Sequence, residues 1–470
     1  MRQNVLLIVF DTARADAFEP YGAAAGSSPA ASQLAARGRA YEAFSAAPWT
    51  VPSHASMFSG LLPQAAGIPG PDPQNLLDGI RAAIPPLRHR WLPAVMSAAG
   101  YQTAGISANL QISPWTGFDM GFDRFEYVSP GRCNAMSDDS VRGRLRWSWD
   151  VIKARTDDGA AQVERLLADW LDEGPSRRPF FWFANLIECH SPYLPPRPYS
   201  PLAPAGRYRA GQEARRYLTQ NSLWRAAAGG FDIPAEAIDR MRRLYAGSVR
   251  LADDWLARVL DGLDRHGLLD ETIVIVTSDH GENLGEGDLI GHVFSVDDRL
   301  IRVPFIVSGP AAMVPGPRFS HVDLAAWLAA SCGLPESPWP AAVDREVAVA
   351  QFTAPGDPGD PRAAVVAHMW GLGELAVDRL TTSLHCATNG RRKLLRRGDR
   401  DELIDLDTDP LEVSPRTIGA GEAGQFGAEL TSLRAALEQT AVQPGAVAAP
   451  ARAVPPPADL EAQMKLLGYL

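Results

Sequence analysis

Four short, strongly apolar runs stand out along the chain, at 5–10 (VLLIVF), 180–186 (FFWFANL), 272–277 (TIVIVT) and 303–308 (VPFIVS). Runs of this length without polar alternation predict strands buried on both faces, as in a parallel sheet. Between them apolar positions return at helical spacing. Met241, Leu244, Tyr245, Leu251, Trp255, Val259 and Leu263 share one face of a predicted helix that Gly267 ends. A second helix over 91–99 stops at Gly100 and leads into a short strand at 103–107. Strands alternating with helices predict an α/β fold, a mostly parallel sheet sandwiched by helices.

The pattern changes toward the C-terminus. Segments 363–369, 383–386, 393–396 and 402–406 read as shorter strands of an antiparallel appendage. Two proline- and glycine-rich stretches, 191–204 (SPYLPPRPYSPLAP) and 356–361 (GDPGDP), predict surface loops, the first long enough to act as a lid. Residues 443–459 are rich in Ala and Pro and read as a linker, and 460–470 as a short docking helix. The expected division is a catalytic α/β domain over 1–340, a smaller C-terminal α+β subdomain over 341–440, and a linker with its docking segment over 441–470.

Composition narrows the class. The 470 residues, 46% hydrophobic and 21% charged, can bury a sizeable core. Net charge is −10, from 55 acids against 45 bases, which argues against a nucleic-acid partner. Cys133, Cys189, Cys332 and Cys386 form no CxxC pair and suggest neither a disulfide framework nor a zinc knuckle. The apolar run at 5–10 is too short for a signal peptide, and no run approaches a membrane span. The expectation is a cytoplasmic protein with no membrane span.

Candidate chemistry collects at strand ends. In open parallel sheets ligands sit beyond the carboxyl ends of the strands. Asp11 follows the first predicted strand, Glu188 and His190 another, and Asp279 and His280 a third. An Asp-His pair at a strand end can ligate a divalent cation through one hard oxygen and one imidazole. Taken alone it is more often a helix cap beside a surface His, but Asp11 supplies the extra carboxylate that a metal site needs. Thr50 precedes Pro52, which marks a helix start. A hydroxyl at a helix N-terminus, near a cation, is an oxygen nucleophile in an activating position. Taken alone, Thr50 is an ordinary N-cap.

These pieces, in this order, resemble the sulfatase-like branch of the alkaline phosphatase superfamily. The matching segments are 4–16 (NVLLIVFDTARAD), 47–60 (APWTVPSHASMFSG), 117–123 (GFDMGFD), 188–196 (ECHSPYLPP), 276–285 (VTSDHGENLG), 290–310 (IGHVFSVDDRLIRVPFIVSGP) and 402–412 (ELIDLDTDPLE), with Leu467-Gly468-Tyr469 near the end. Segments 131–178 and 206–238 match least and are candidates for setting the substrate. The resemblance implies metal binding by Asp11, Asp279 and His280, with Thr50 at the nucleophile position and touching the metal. It implies His190 at the substrate anion or leaving group and His292 at the non-bridging oxygens. Asn109 matches a position that holds a substrate oxygen. Glu188, His190 and His292 offer a partial set for a second metal, while Arg14 and Asp16 brace the first turn.

Two departures shape the functional expectation. The sulfatase motif has Cys or Ser, converted to formylglycine, followed by x-Pro-(Ser/Ala)-Arg; here the register reads Thr50-Val51-Pro52-Ser53-His54. The motif Arg becomes His54, a candidate to contact substrate or to orient Thr50. Thr12 also stands where relatives often carry a second acid. The Asp/Thr/Asp/His set instead resembles superfamily phosphodiesterases and phosphoryl transferases that use Thr with zinc. Formylglycine hydrate releases sulfate by elimination, whereas a threonine ester must be attacked at its central atom, which suits phosphorus. The expectation is a metal-dependent hydrolase of a small anionic phosphate or phosphonate ester, with zinc favoured over manganese, calcium or magnesium, and with a homo-oligomer open. Alternatives are a sulfuric ester hydrolase, a phosphoryl-group transferase, or a binding protein that retains the fold.

Overall fold

In the computed structural model, a seven-stranded sheet organises the chain. Its strands are β1 (Asn4–Phe10), β2 (Arg39–Ala40), β3 (Gln102–Ser107), β4 (Arg124–Tyr127), β5 (Phe180–Leu186), β6 (Thr272–Thr277) and β7 (Phe305–Ser308). They lie in the order β2-β7-β6-β1-β5-β3-β4. The run from β6 to β4 is parallel, with Val9 of β1 level with Asn185 of β5 and Thr277 of β6. The carboxyl ends of the three central strands are therefore flush. The structure describes residues 3–440 apart from 72–75, 132–135, 137–139, 156, 175–177, 228, 230–231, 312–317, 335, 341–344, 356–373 and 420–426.

Every residue of β1, β5 and β6 is buried because the strands face helices on both sides. Odd positions of β1 (Val5, Leu7, Val9) join one apolar core with Phe181, Phe183, Ile273 and Ile275. That core includes Val51, Ala55 and Phe58 of α2 (Thr50–Ser59). Even positions (Leu6, Ile8, Phe10) join the other. On that side lie α1 (Pro29–Arg37), α3 (Val141–Lys153), α4 (Ala160–Asp172), α5 (Pro204–Tyr217) and the 31-residue α6 (Ala235–Arg265). The helix expected over 241–263 is thus the middle of α6. Gly267 follows it at φ 68°, a left-handed conformation that glycine adopts without a Cβ clash.

A second, antiparallel sheet lies near the C-terminus, with strands β8 (Ala348–Phe352), β9 (Leu384–Thr388), β10 (Arg392–Arg397), β11 (Arg400–Asp405) and β12 (Arg416–Ile418) in sequential order. One face carries Ala350, Phe352 and Cys386 into the core on the α2 side of the large sheet. The other is covered by Leu430, Leu433 and Leu437 of the helix Gly427–Gln439.

Three expectations need correction. The run 303–308 is not one parallel strand. Pro304 splits it, and β7 runs antiparallel to β6. Proline has no N–H for a ladder, so the break falls there. The proline-rich stretch after β5 is not wholly a surface loop. Residues 192–195 are buried, and Tyr193 is pinned there by its hydroxyl. Glu188 does not join the histidines. Its Oε1 accepts from the N–H groups of Asp158 (2.9 Å) and Ala160 (3.0 Å), satisfying the start of α4. The predicted loop at 356–361, the strand at 363–369, Cys133 and all of 441–470 fall outside the described residues. Cys189, Cys332 and Cys386 are buried free thiols. No described helix is long and apolar enough to cross a membrane.

Trp255 of α6 is fully buried, sets its ring edge-on to Phe10 at 6.0 Å, and donates from Nε1 to Ala160 O at 3.1 Å. It joins α6, α4 and the end of β1 in one contact. Trp255→Ala should cost about 3–5 kcal/mol of stability, read as a lower denaturant midpoint, with Trp255→Phe losing less.

Candidate active site

The first element of the site is the turn after β1. The Asp11 N–H donates to Leu186 O at 2.8 Å, carrying strand pairing one residue past the sheet. Thr12 then turns at φ 61°, a left-handed conformation unfavourable for a β-branched residue. Three contacts hold it there. Its N–H donates to Asp279 Oδ1 (3.1 Å), its carbonyl accepts from the Tyr245 hydroxyl (2.9 Å), and Ala13 N–H donates to Ser278 Oγ (2.9 Å). Arg14 beyond it pairs with Asp16 at 2.6 Å and Glu286 at 2.8 Å, the bracing expected of it.

Asp11 and Asp279 are both fully buried, side by side. Asp11 Oδ2 accepts from Asn109 Nδ2 at 2.6 Å, and Asp279 Oδ1 accepts from the N–H groups of Thr12 and His280. The other oxygen of each, Asp11 Oδ1 and Asp279 Oδ2, has no hydrogen-bond partner. Burial raises both carboxyls above the ordinary range, and Asp279 is raised further by the Asp11 charge. His280 Nδ1–H donates to Gly281 O at 2.9 Å, which leaves Nε2 with its lone pair on the carboxylate side. One ligand atom each from Asp11, Asp279 and His280 lies within 4.8 Å of the others. Two orphaned carboxylate oxygens and an imidazole lone pair, all buried, suit a divalent cation.

Thr50 opens α2, and its Oγ1 lies 3.3 Å from His280 Nε2. Ser53, one turn on, donates to Asp279 O and so ties the helix start to the carboxylate turn. His54 lies behind Thr50, fully buried and edge-on to Phe118 and Phe183. Its Nδ1–H donates to Thr50 O at 2.9 Å, and Nδ1 is 3.5 Å from Asp279 Oδ2. Burial pushes His54 down to about 4, so it is neutral. These contacts seat its ring against the Thr50 carbonyl and the Asp279 carboxylate. Asn109 is likewise engaged at both ends, with Nδ2 on Asp11 and Oδ1 accepting from Gln111 N–H at 2.8 Å.

His190 and His292 arrive from different loops and meet, their ring centroids 5.1 Å apart. The His292 ring is 4.6 Å from that of His280. His190 Nδ1–H donates to Ser191 O at 2.9 Å. Two residues missing from the sequence reading complete this wall. Glu282, fully buried, accepts from His292 Nδ1–H at 3.0 Å on one oxygen and from the Tyr193 hydroxyl at 2.6 Å on the other. Burial lowers His292, but the Glu282 charge and hydrogen bond outweigh it and leave the imidazole raised. Glu282 lies two residues past His280 and Tyr193 three past His190, so proximity to the motif was the available signal. Nothing in one sequence says that the two side chains meet.

Comparison with known proteins identifies the family and the fold. The family model described as Sulfatase matches residues 3–333. A choline-sulfatase from Rhizobium meliloti (strain 1021) is 24% identical over 88% of this chain and 82% of that protein. The multifunctional alkaline phosphatase superfamily protein PehA from Trinickia caryophylli is 28% identical over 152 residues, and this chain spans only 29% of its length. Among solved structures, the phosphonate monoester hydrolase of Agrobacterium radiobacter superposes with a TM-score of 0.65 at 19% identity, covering 93% of this chain and 96% of that one.

The buried carboxylates set a pH dependence. With both raised when folded, the metal-free native chain holds protons that the unfolded chain has already released. The pair's contribution to stability is therefore greatest below the ordinary carboxylate range and falls as pH rises through the raised window. A divalent cation bound there would take the place of those protons and oppose the loss. The melting temperature of chelator-treated protein, compared with Asp279→Asn across pH, should show the wild type losing ground as pH rises and recovering on metal addition. Asp279→Asn should weaken metal binding by more than about 100-fold in a calorimetric titration.

Proposed function

The chain belongs to the sulfatase family, and we propose that within it the protein is a metal-dependent hydrolase that uses Thr50 as nucleophile on a phosphate or phosphonate ester. The observation that carries this reading is the position of Thr50 Oγ1, at the first residue of α2 and 3.3 Å from the nitrogen that His280 turns toward Asp279. A divalent cation held by Asp11, Asp279 and His280, with the Thr50 hydroxyl as a fourth ligand, would supply Lewis-acid stabilisation of an alkoxide and of the ester oxygens. Four ligands including an imidazole suit zinc; manganese, calcium or magnesium would be the alternatives in elemental analysis.

The chain's own groups then divide the work. The backbone N–H groups at the α2 N-terminus favour an anion beside Thr50. His54, through Thr50 O, and Ser53, through Asp279 O, hold the nucleophile against the carboxylate turn. His292, whose protonated form Glu282 favours through Nδ1, then has an Nε2–H left to donate to a non-bridging oxygen. His190, with Nδ1 on Ser191 O, has Nε2 left as the atom through which it would serve the leaving oxygen on this reading. Asn109 steadies Asp11. Threonine at position 50 cannot become formylglycine, and its ester must be opened by attack at the central atom, which favours phosphorus over sulfur. The long match to a choline-sulfatase supports a sulfate ester as the second reading.

Thr50→Ala should keep metal binding and lower turnover by at least about 10³-fold, while Thr50→Ser keeps measurable activity. Equal turnover by Thr50→Ala would exclude a covalent route through this residue. Nitrophenyl phosphonate monoesters, phosphodiesters and phosphate monoesters, assayed beside nitrophenyl sulfate, should rank the sulfate last. The reverse ranking would favour the sulfatase reading.

A further inference from the structure

Helix α3 has two apolar stripes, and only one is used by the core. Gly143, Trp147 and Val151 are buried; Trp147 Nε1 donates to Gly211 O of α5 at 3.2 Å. Val141, Leu145 and Trp149 also repeat every four residues, but two positions out of step. At about 100° per residue this puts them on the opposite side of the helix, facing away from the protein. Their exposures are 77%, 68% and 60%. Tyr208 on the neighbouring α5 is 47% exposed. Four of the six large apolar side chains that the described structure leaves exposed therefore lie on one helix pair. They cannot be shoulders of the core, because the core stripe is complete without them.

The same pair is basic in an acidic protein. Residues 141–155 and 204–217 carry nine arginines and lysines against two acids, while the whole chain is at −10. Arg142, Arg144 and Arg146 alternate with the apolar stripe on the exposed side of α3, and Arg209 and Arg216 are exposed on α5. Lys153 Nζ sits 4.4 Å over the Trp149 ring. Arg146 approaches Asp150 at 3.8 Å, a solvent-exposed pair that cancels little of the field. Helix α3, and α5 from its third residue on, fall within the two segments, 131–178 and 206–238, that resemble the family least and that the catalytic reading leaves unused.

We propose that α3, with the exposed face of α5, docks the protein on an anionic lipid surface. An apolar stripe ending in Trp and flanked by arginines is the composition of a helix lying in a membrane interface, its apolar side at the acyl boundary and its cations among phosphates. A hydrated polyanion would satisfy the arginines and leave Val141, Leu145 and Trp149 in water. A second copy, packed two-fold on the same stripe, would bring Arg142 and Arg146 against their own equivalents. Only a surface both apolar and negative answers the whole patch. The C-terminal end of α3 is tied to the segment after His190, Arg197 N–H donating to Ala154 O at 2.8 Å, so docking holds the lipid beside the loop that carries His190.

Flotation of the full chain with phosphatidylcholine vesicles, with and without phosphatidylglycerol, tests this without reference to catalysis. Binding is expected only with phosphatidylglycerol and should weaken as salt is raised. Leu145→Ser/Trp149→Ser and, separately, Arg142→Glu/Arg146→Glu should each lower the partition by about tenfold or more at unchanged melting temperature. Retention on immobilised heparin should survive the first pair of substitutions and not the second. The proposal is overturned by the absence of flotation with anionic vesicles, or by flotation that Leu145→Ser/Trp149→Ser leaves intact. It is equally overturned if light scattering finds a dimer that this double substitution dissociates.

Discussion

Two carboxyl groups, Asp11 and Asp279, are buried together at the ends of neighbouring strands, and most of the surrounding structure is organised by that fact. A buried carboxylate is costly unless hydrogen-bonded or paired with a cation, and two side by side are costlier. The fold meets half of this requirement with fixed donors. Asn109 reaches across from the loop after β3, and the N–H groups of Thr12 and His280 face Asp279 Oδ1. One oxygen of each carboxylate is left without a donor. Thr12 adopts a left-handed conformation that a threonine disfavours, and doing so aims its N–H at Asp279.

The C-terminal sheet contributes to the same arrangement from a distance. Lys393 of β10 is fully buried and pairs with Glu412 and with Asp298, each at 2.7 Å. Glu412 Oε1 in turn accepts from Asp298 N–H. Next to it, Arg299 donates to Leu411 O at 2.9 Å and to Asn283 Oδ1 at 3.2 Å. Gly281 N–H donates to Leu300 O, and a Cβ on Gly281 would lie 1.9 Å from Arg299 O, so the loop after His280 rests directly on this strap. Hydrogen bonds and ion pairs thus run from β10 through 411–412 and 298–300 to the residues following His280. That physical connection explains why the segment ELIDLDTDPLE, far from the site in sequence, accompanies the site motifs in this chain.

The central strands were legible because a strand buried on both faces must be apolar throughout, and β1, β5 and β6 are. Asp11, Asp279 and His280 were legible for the complementary reason: a charged residue directly after such a strand has no apolar role to fill. Thr50 was legible as a helix start beside Pro52. Elsewhere one sequence carries too little. Direction is not encoded in an apolar run, so β7 read as parallel until its pairing with β6 was seen. Glu188 stands at a strand end like Asp11 but turns aside to the start of α4, a choice set by where that helix packs. The proline-rich stretch reads as exposed by composition. Tyr193, by reaching Glu282, and Leu194, by joining the apolar core, draw its first half inward. Such long-range polar pairs have no periodicity and leave no local trace.

The charge balance of the site bears on what it can accept. Of the buried groups around Asp11 and Asp279, His54 is neutral, pushed to about 4 by burial, where the sulfatase motif has an arginine. Arg14 is committed to Asp16 and Glu286 and does not offset the pair. His190 and His292 do act on Asp11, each drawing its carboxyl down, but Glu282 stands behind them and opposes the effect. The protein's own charges therefore leave the pocket negative whenever both carboxylates are ionised, and an anionic ester would be repelled by the groups meant to process it. On the proposed reading, a divalent cation is needed to admit the substrate as well as to activate Thr50. Replacing the motif arginine by a neutral histidine makes that dependence stricter, because no fixed guanidinium remains to attract the ester in its absence.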